Sequence, residues 1–200
     1  MKSHIYLVLL ALSLALSSCF SSTNDKNADN NVITEKQQIL LDEGWQFQTP
    51  PNGDMALEYG ITPVKGLLDN YFDIEVGGGF SVAVKIVEAS SKKTIRYVYV
   101  KENSTATITE IPPGDYYLKL AFGYDWMTKE DNEKLLGKFT KLASYEISDD
   151  IFVFGNNMFN ANSYQLRINM NADERYYNFS TTEIDENEFF NETPYTYYMI

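Results

Sequence analysis

The side chains able to do covalent or acid–base chemistry in this chain are few in kind. Its 200 residues include one cysteine and one histidine, Cys19 and His4, and both fall in or beside an apolar N-terminal stretch. Nucleophilic systems of the Ser-His-Asp or Cys-His type need an imidazole beside the nucleophile, and zinc or haem sites draw on His or Cys ligands. Beyond Cys19 the chain has neither residue, so carboxylates, lysines and aromatic rings remain. Asp125, Glu130, Asp131 and Glu133 form one acidic cluster, and Glu183, Asp185, Glu186 and Glu188 another. A glycosidase needs two carboxyl groups about 5 to 9.5 Å apart, and calcium needs clustered oxygen ligands. Neither cluster has the spacing and central glycine of an EF-hand loop. With 28 acidic against 16 basic residues, such clusters read first as solvated faces, and no catalytic, metal or cofactor residue is assigned. Gly77-Gly78-Gly79 lacks the Lys-Ser/Thr and helix of a phosphate-binding loop and reads as a flexible entry to a strand. Tyr124 and Trp126 are the candidates for ligand contact, because rings in a loop at the end of a β-domain stack on a sugar or a peptide. The preferred reading makes Trp126 a core residue closing one end of the domain.

The N-terminus has its own logic. Lys2 supplies a positive charge, and the apolar run Ile5 to Leu16 is shorter than the roughly 20 residues a membrane-spanning helix needs. It has the form of a signal-peptide h-region and leads into Leu16-Ser17-Ser18-Cys19. This pattern resembles the bacterial lipoprotein signal. The resemblance implies cleavage before Cys19, diacylglycerol on its thiol, and a mature chain without histidine, free thiol or disulfide. It implies a lipid-anchored protein of the cell envelope, and Phe20 in place of Asp after the lipidated cysteine points to the outer membrane, with the leaflet open. A net charge of −12 repels phosphate backbones and anionic headgroups. Nucleic acid is therefore excluded as a partner, membrane attachment falls to acyl chains, and an envelope protein or a glycan is the expected partner.

The expected order is a signal peptide at 1–18, a disordered tether at 19–35, an irregular N-terminal extension at 36–79 and a β-domain at 80–200. The tether is rich in Ser, Asn and Asp and poor in apolar residues. In the extension, Ile39 to Leu41 suit one helical turn or a first strand, Pro50-Pro51-Asn52-Gly53 argues for irregular structure, and Ile61 to Val76 reads as a short extended segment. From Phe80 the pattern clears. Phe80, Val82, Val84 and Ile86 alternate with Ser81, Ala83 and Lys85, the period of a half-buried strand. After the polar turn Ser90 to Lys93, a second strand over Thr94 to Val100 sets Ile95, Tyr97 and Tyr99 on one face and Arg96, Val98 and Val100 on the other. Thr105 to Ile111 is a third. Pro113-Gly114 suits a type II turn, after which Tyr116, Leu118, Leu120 and Phe122 form a fourth apolar face. Lys129 to Leu136 suits one or two helical turns. Ile151 to Phe154 and Ser163 to Met170 are further strands, and the aromatic tail Pro194 to Ile200 reads as a last strand or as an edge that pairs with a partner chain.

Phe80 to Phe122, with its strand, turn and Pro-Gly-x-Tyr hairpin, resembles prealbumin-like and carboxypeptidase-regulatory-like β-domains. A broader likeness to bacterial envelope proteins of unassigned activity rests on the order of Tyr99-Val100-Lys101, Pro112 to Tyr116, Gly123-x-x-Trp126, Leu136-Gly137 with Thr140, Tyr145, Phe152-x-Phe154 and Glu188-Phe189. Pattern and resemblance together predict a mainly β protein, an antiparallel, prealbumin-like β-sandwich. The expected role is non-enzymatic, as a binding or assembly module. The alternatives are a carboxylate-based glycan hydrolase and a structural subunit of a surface appendage or secretion assembly.

Overall fold

The computed structural model describes residues 32–132, 134–155, 161–171 and 174–191. The predicted signal peptide, Cys19, most of the tether and the tail Pro194 to Ile200 lie outside the described residues.

The chain folds as two β-sheets. The larger has the strand order β12-β8-β7-β4-β5-β2, with β1 and β9 also paired to β7. Its centre is β4 (Ser81–Glu88), β5 (Thr94–Val100) and β7 (Gly114–Asp131), with β8 (Lys134–Ser148) and β12 (Thr181–Ile184) on one side. The short strands are β1 (Gln46–Phe47), β2 (Gly53–Asp54) and β9 (Phe152–Phe154). The smaller sheet runs β11-β10-β3-β6, formed by β3 (Tyr71–Val76), β6 (Ser104–Ile108), β10 (Ser163–Asn171) and β11 (Glu174–Tyr177). Between the sheets lies an apolar core. Val82, Val84, Ile86, Leu118, Leu120 and Phe122 from one side meet Phe72, Ile74, Val76, Leu166 and Ile168 from the other. This is a β-sandwich, and the faces predicted from alternation at Phe80 to Phe122 and Tyr164 to Met170 are the faces that build it. Among the described residues all strand pairings are antiparallel except β3 with β10, which run parallel from Tyr71↔Ser163 to Val76↔Ile168.

The structure departs from the sequence pattern in five places, each with a physical cause. First, β4 and β5 are buried on both faces, not half-buried, because the outer face of the large sheet is covered too. Ala83, Val87, Tyr97, Tyr99, Tyr117, Ala121 and Tyr145 pack there beneath Met55, Ala56, Trp126, Phe139 and Phe189. Second, Ile95 sits in the inter-sheet core with Val98 and Val100, not with Tyr97 and Tyr99. Ile86 pairs with Arg96 and Val87 with Thr94, so a bulge at Ile95 turns its side chain over. Third, Lys129 to Leu136 is the end of a β-hairpin, with Lys129 opposite Leu136 and Asp131 opposite Lys134. Asn132 takes φ 49° at its tip, a region asparagine tolerates, and pairing overrides the helical propensity of the surrounding Glu, Lys and Leu. Fourth, Gly114 has φ 154° and opens β7 opposite Phe154, far from the φ near 80° of a type II turn. Tyr116 Oη donates to the Pro112 carbonyl at 3.0 Å, the geometry of a tyrosine corner. Fifth, residues 36–79, expected as an irregular extension, supply a helix, two strands of the large sheet and an inner strand of the small one.

Candidate functional site

The outer face of the large sheet carries a cleft of about 510 Å³. Its floor comes from β4 and β5 (Lys85, Tyr97), one wall from the β7–β8 hairpin arm (Lys134 to Lys138), and the rest from Trp45, Tyr59 to Ile61, Glu186 and Phe190.

Each part is placed by local sequence. Helix α1 (Glu35–Asp42) starts at a capping box: the Thr34 side chain accepts from Gln37 N–H, and Gln37 Oε1 accepts from Thr34 N–H at 2.9 Å. Gln37 is buried, and its Nε2 donates to Asp125 Oδ2 at 2.9 Å and Thr140 Oγ1 at 3.1 Å, tying the helix to both strands of the arm. The helix ends at Gly44, φ 92°, with Gly44 N–H bonded to the Leu41 carbonyl and Trp45 N–H to the Leu40 carbonyl. That is a Schellman stop, and it throws Trp45 into the cleft, where the Lys138 ammonium lies 5.2 Å from its ring centre.

Tyr59 stands on the loop after β2 and meets Tyr97 edge-on at 5.3 Å. Trp126 Nε1 donates to its hydroxyl at 2.9 Å. This junction exists because residue 137 is glycine. A Cβ there would lie 2.6 Å from Tyr59 Cε1, 2.7 Å from Tyr59 Oη and 2.7 Å from Trp126 Nε1. Burial pushes the Tyr59 phenol up to about 12 and Tyr97 well above the ordinary tyrosine value, so both are neutral hydrogen-bonding groups at physiological pH. The buried Tyr97 hydroxyl has no hydrogen-bond partner among the described residues.

Helix α2 (Glu186–Phe190) closes the far side. Asp185 caps it by accepting from Glu188 N–H at 2.7 Å. Its last carbonyls, which no helical N–H can reach, accept from two buried lysines. Lys85 donates to the Phe189 carbonyl at 3.1 Å, and Lys119 to those of Glu188 at 2.6 Å and Asn191 at 2.9 Å. Cations at a helix C-terminus also meet the negative end of its dipole. From the first turn of α2, Glu186 pairs with Lys138 at 2.9 Å, so an ion pair joins the helix to the arm.

The two residues singled out for ligand contact do not come together. Trp126 is 3% exposed and belongs to the core over the outer face of the large sheet, where the expectation had it closing one end of the domain. Tyr124 is half out in solvent and packs on Phe80 at 4.7 Å, on the inter-sheet side. The acidic clusters also disperse. Asp125 serves Gln37, Asp185 caps α2, and Glu130 and Asp131 are at least partly exposed near the arm's tip, while Glu133 lies outside the described residues. No three His, Cys, Asp or Glu gather to hold a metal ion among the described residues. Among the described residues lining the cleft, Glu186 is the one carboxylate. A second, smaller opening, about 400 Å³, lies between the sheets and is lined by Ser144, Glu146, Arg175, Tyr177, Thr181 and Glu183. There Glu146 faces Glu183 across β8 and β12, but it accepts from Arg175 and Tyr177 of β11 and so ties the two sheets.

Sequence pattern alone does not single out Trp45, Tyr59, Lys85, Tyr97, Lys138 or Phe190. Two signals are present: Thr34-x-x-Gln37 followed by Gly44-Trp45, and Asp185-x-x-Glu188 before Phe189-Phe190, both helix-start patterns with aromatic residues close by in sequence.

Fold and cleft together define a two-sheet β protein with one mixed aromatic and cationic cleft on its outer face. No protein-family model matches the chain, no curated protein matches it, and no solved structure matches it.

Proposed function

We propose that the chain is a lipid-anchored, non-enzymatic binding module of the cell envelope, held to the outer membrane through Cys19, with its ligand seated in the outer-face cleft. The cleft carries this reading. A concave site of this size lined by rings with a few convergent polar groups is where a ligand binds by default, and the one carboxylate among its described lining residues, Glu186, is paired to Lys138. Both tryptophans lie at or beside it, so intrinsic fluorescence reports occupancy. Envelope extracts fractionated into glycan, peptide and protein pools are titrated against the full chain in detergent. A saturable fluorescence change that Trp45→Ala and Tyr59→Ala remove is the expected result. No response from any pool, or a response unchanged in both variants, refutes the cleft as the site.

A second reading, assembly with a partner chain, is favoured by a different observation. β12 covers only Tyr145 to Ser148 of β8, and among the described residues no strand pairs with the rest of that edge. Concentration-dependent oligomers abolished by a proline at Lys141 would support it.

A further inference from the structure

We infer that the outer-face cleft is the seat of the chain's own aromatic segment, residues 194–200, and that the ligand of the binding role just proposed enters by displacing it. The inference rests on that reading for the ligand and adds its regulation. Three observations carry it. The first is the chemistry of the lining. Lys85 donates to the Phe189 carbonyl, Lys138 pairs with Glu186, and Lys134 stands opposite Asp131 across the hairpin. With its charged groups engaged in this way, the cleft offers an occupant chiefly the rings of Trp45, Tyr59 and Phe190 over the floor of Tyr97. Tyr97 Oη is also the one buried side-chain polar atom among the described lining residues without a hydrogen-bond partner. A neutral acceptor such as a peptide carbonyl satisfies it. The second is the sequence of the segment. Pro194-Tyr195-Thr196-Tyr197-Tyr198-Met199-Ile200 carries three phenol rings and no charged side chain, in a protein of net charge −12. Such rings gain by leaving water for other rings, and the backbone between them supplies carbonyls. The third is the point at which the chain reaches the cleft. Phe190 lines it, and the next carbonyl, that of Asn191, is held by Lys119 at 2.9 Å. At no more than about 3.6 Å per residue, Tyr195 lies within about 14 Å of Asn191 and Tyr198 within about 25 Å. A segment tethered at the rim is present at millimolar effective concentration, so even a weak fit fills the site.

The test uses a synthetic peptide of residues 193–200, the full chain in detergent, and a chain ended after Thr193. Calorimetry should find the peptide bound to the shortened chain and at least about tenfold weaker on the full chain. That is the factor by which a tethered segment at millimolar effective concentration outcompetes a free peptide with a Kd of about 100 μM. Trp45→Ala and Tyr97→Phe in the shortened chain should each weaken the peptide several-fold. Removing residues 194–200 should also raise acrylamide quenching of Trp45. Where the shortened chain does not fold, the full chain with Tyr195→Ser, Tyr197→Ser and Tyr198→Ser together takes its place. Equal binding to both chains overturns the inference, as does binding that Trp45→Ala and Tyr97→Phe leave unchanged. Protection of the full chain that is lost on dilution, as a dimer gives way to a monomer in elution, places the segment in a second copy and overturns the seat within one chain. If the peptide binds neither chain while the extract screen returns a ligand at Trp45 and Tyr59, this inference alone falls. If both experiments return nothing, the binding reading falls with it.

Discussion

Gly137→Ala is the sharpest probe of the outer face, because the perturbation is one methyl group with known neighbours. Unstrained carbon contacts lie near 3.5 to 4.0 Å, whereas the new Cβ would stand 2.6 to 2.7 Å from atoms of Tyr59 and Trp126. Those atoms belong to rigid rings, so the rings must shift as bodies by about 1 Å. The shift breaks the bond from Trp126 Nε1 to Tyr59 Oη, a loss of about 0.5 to 1.5 kcal/mol, and overpacks the cluster for about 1 to 3 kcal/mol. Replacing glycine in a strand returns about 0.5 to 1 kcal/mol through the unfolded chain. The net expectation is about 2 kcal/mol of destabilisation, or a Tm lower by about 4 to 8 °C for a domain of this size. Calorimetry measures the Tm, and Trp126 fluorescence should shift as its hydrogen bond is lost. A cycle with Tyr59→Ala separates causes: if the clash is with Tyr59, the double variant is more stable than the sum of the singles by at least about 1 kcal/mol. A Tm equal to wild type, or strict additivity in the cycle, would show that the Gly137 junction does not hold the arm, and the account of the cleft wall would fail with it.

Other expectations are as direct. Cys19→Ala should release the protein from the membrane fraction, since the acidic body offers no electrostatic substitute for acyl chains; mass spectrometry of the wild-type N-terminus should find an acylated cysteine, and an unmodified Cys19 removes the anchor from the proposal. Gly114→Val should lower the denaturation midpoint by at least about 1 kcal/mol, because φ 154° disfavours a β-branched residue and its Cβ meets Tyr116 Oη at 3.2 Å; an unchanged midpoint means the tyrosine corner is dispensable. In alkaline titration, burial holds Tyr59, Tyr116 and Tyr177 up at about 12 and raises Tyr97 and Tyr145 further. Unfolded phenols ionise near pH 10, so this stability is complete below pH 10 and lost as pH rises from about 10 through 12; phenolate absorbance growing smoothly from pH 10, without cooperative unfolding, would refute the burial of these rings.

The inter-sheet core was legible because it is written at period two. Phe80 to Ile86, Tyr116 to Phe122 and Tyr164 to Met170 alternate without interruption, and a buried face on one side of a strand needs nothing else to announce it. The outer face was not legible by the same means. β8 runs Lys134-Leu135-Leu136-Gly137-Lys138-Phe139-Thr140-Lys141-Leu142, where the pattern is broken by a glycine kept for close packing and by Leu142 at φ 51° in a bulge. Its turn is made of residues with helical propensity. The cleft then draws on six separated segments, which only tertiary pairing brings together, so no window of sequence contains it.

One sequence feature did announce that the outer face is covered by something polar. Lys85 stands in the middle of Val82 to Val87 and Lys119 in the middle of Leu118 to Phe122, each in an apolar run. The structure pairs them directly across β4 and β7, both buried. Like charges opposite one another destabilise a sheet, and a buried ammonium is tolerated only with partners. Lysines at those registers therefore require acceptors from elsewhere in the chain, and the carbonyls at the end of α2 supply them. The same requirement fixes α2 over the sheet, and with it Glu186 and Phe190 at the cleft. Replacing both lysines by methionine tests this: it should keep the apolar packing while releasing α2, so that Phe190 leaves the cleft wall and ligand binding fails in a protein whose inter-sheet core is intact.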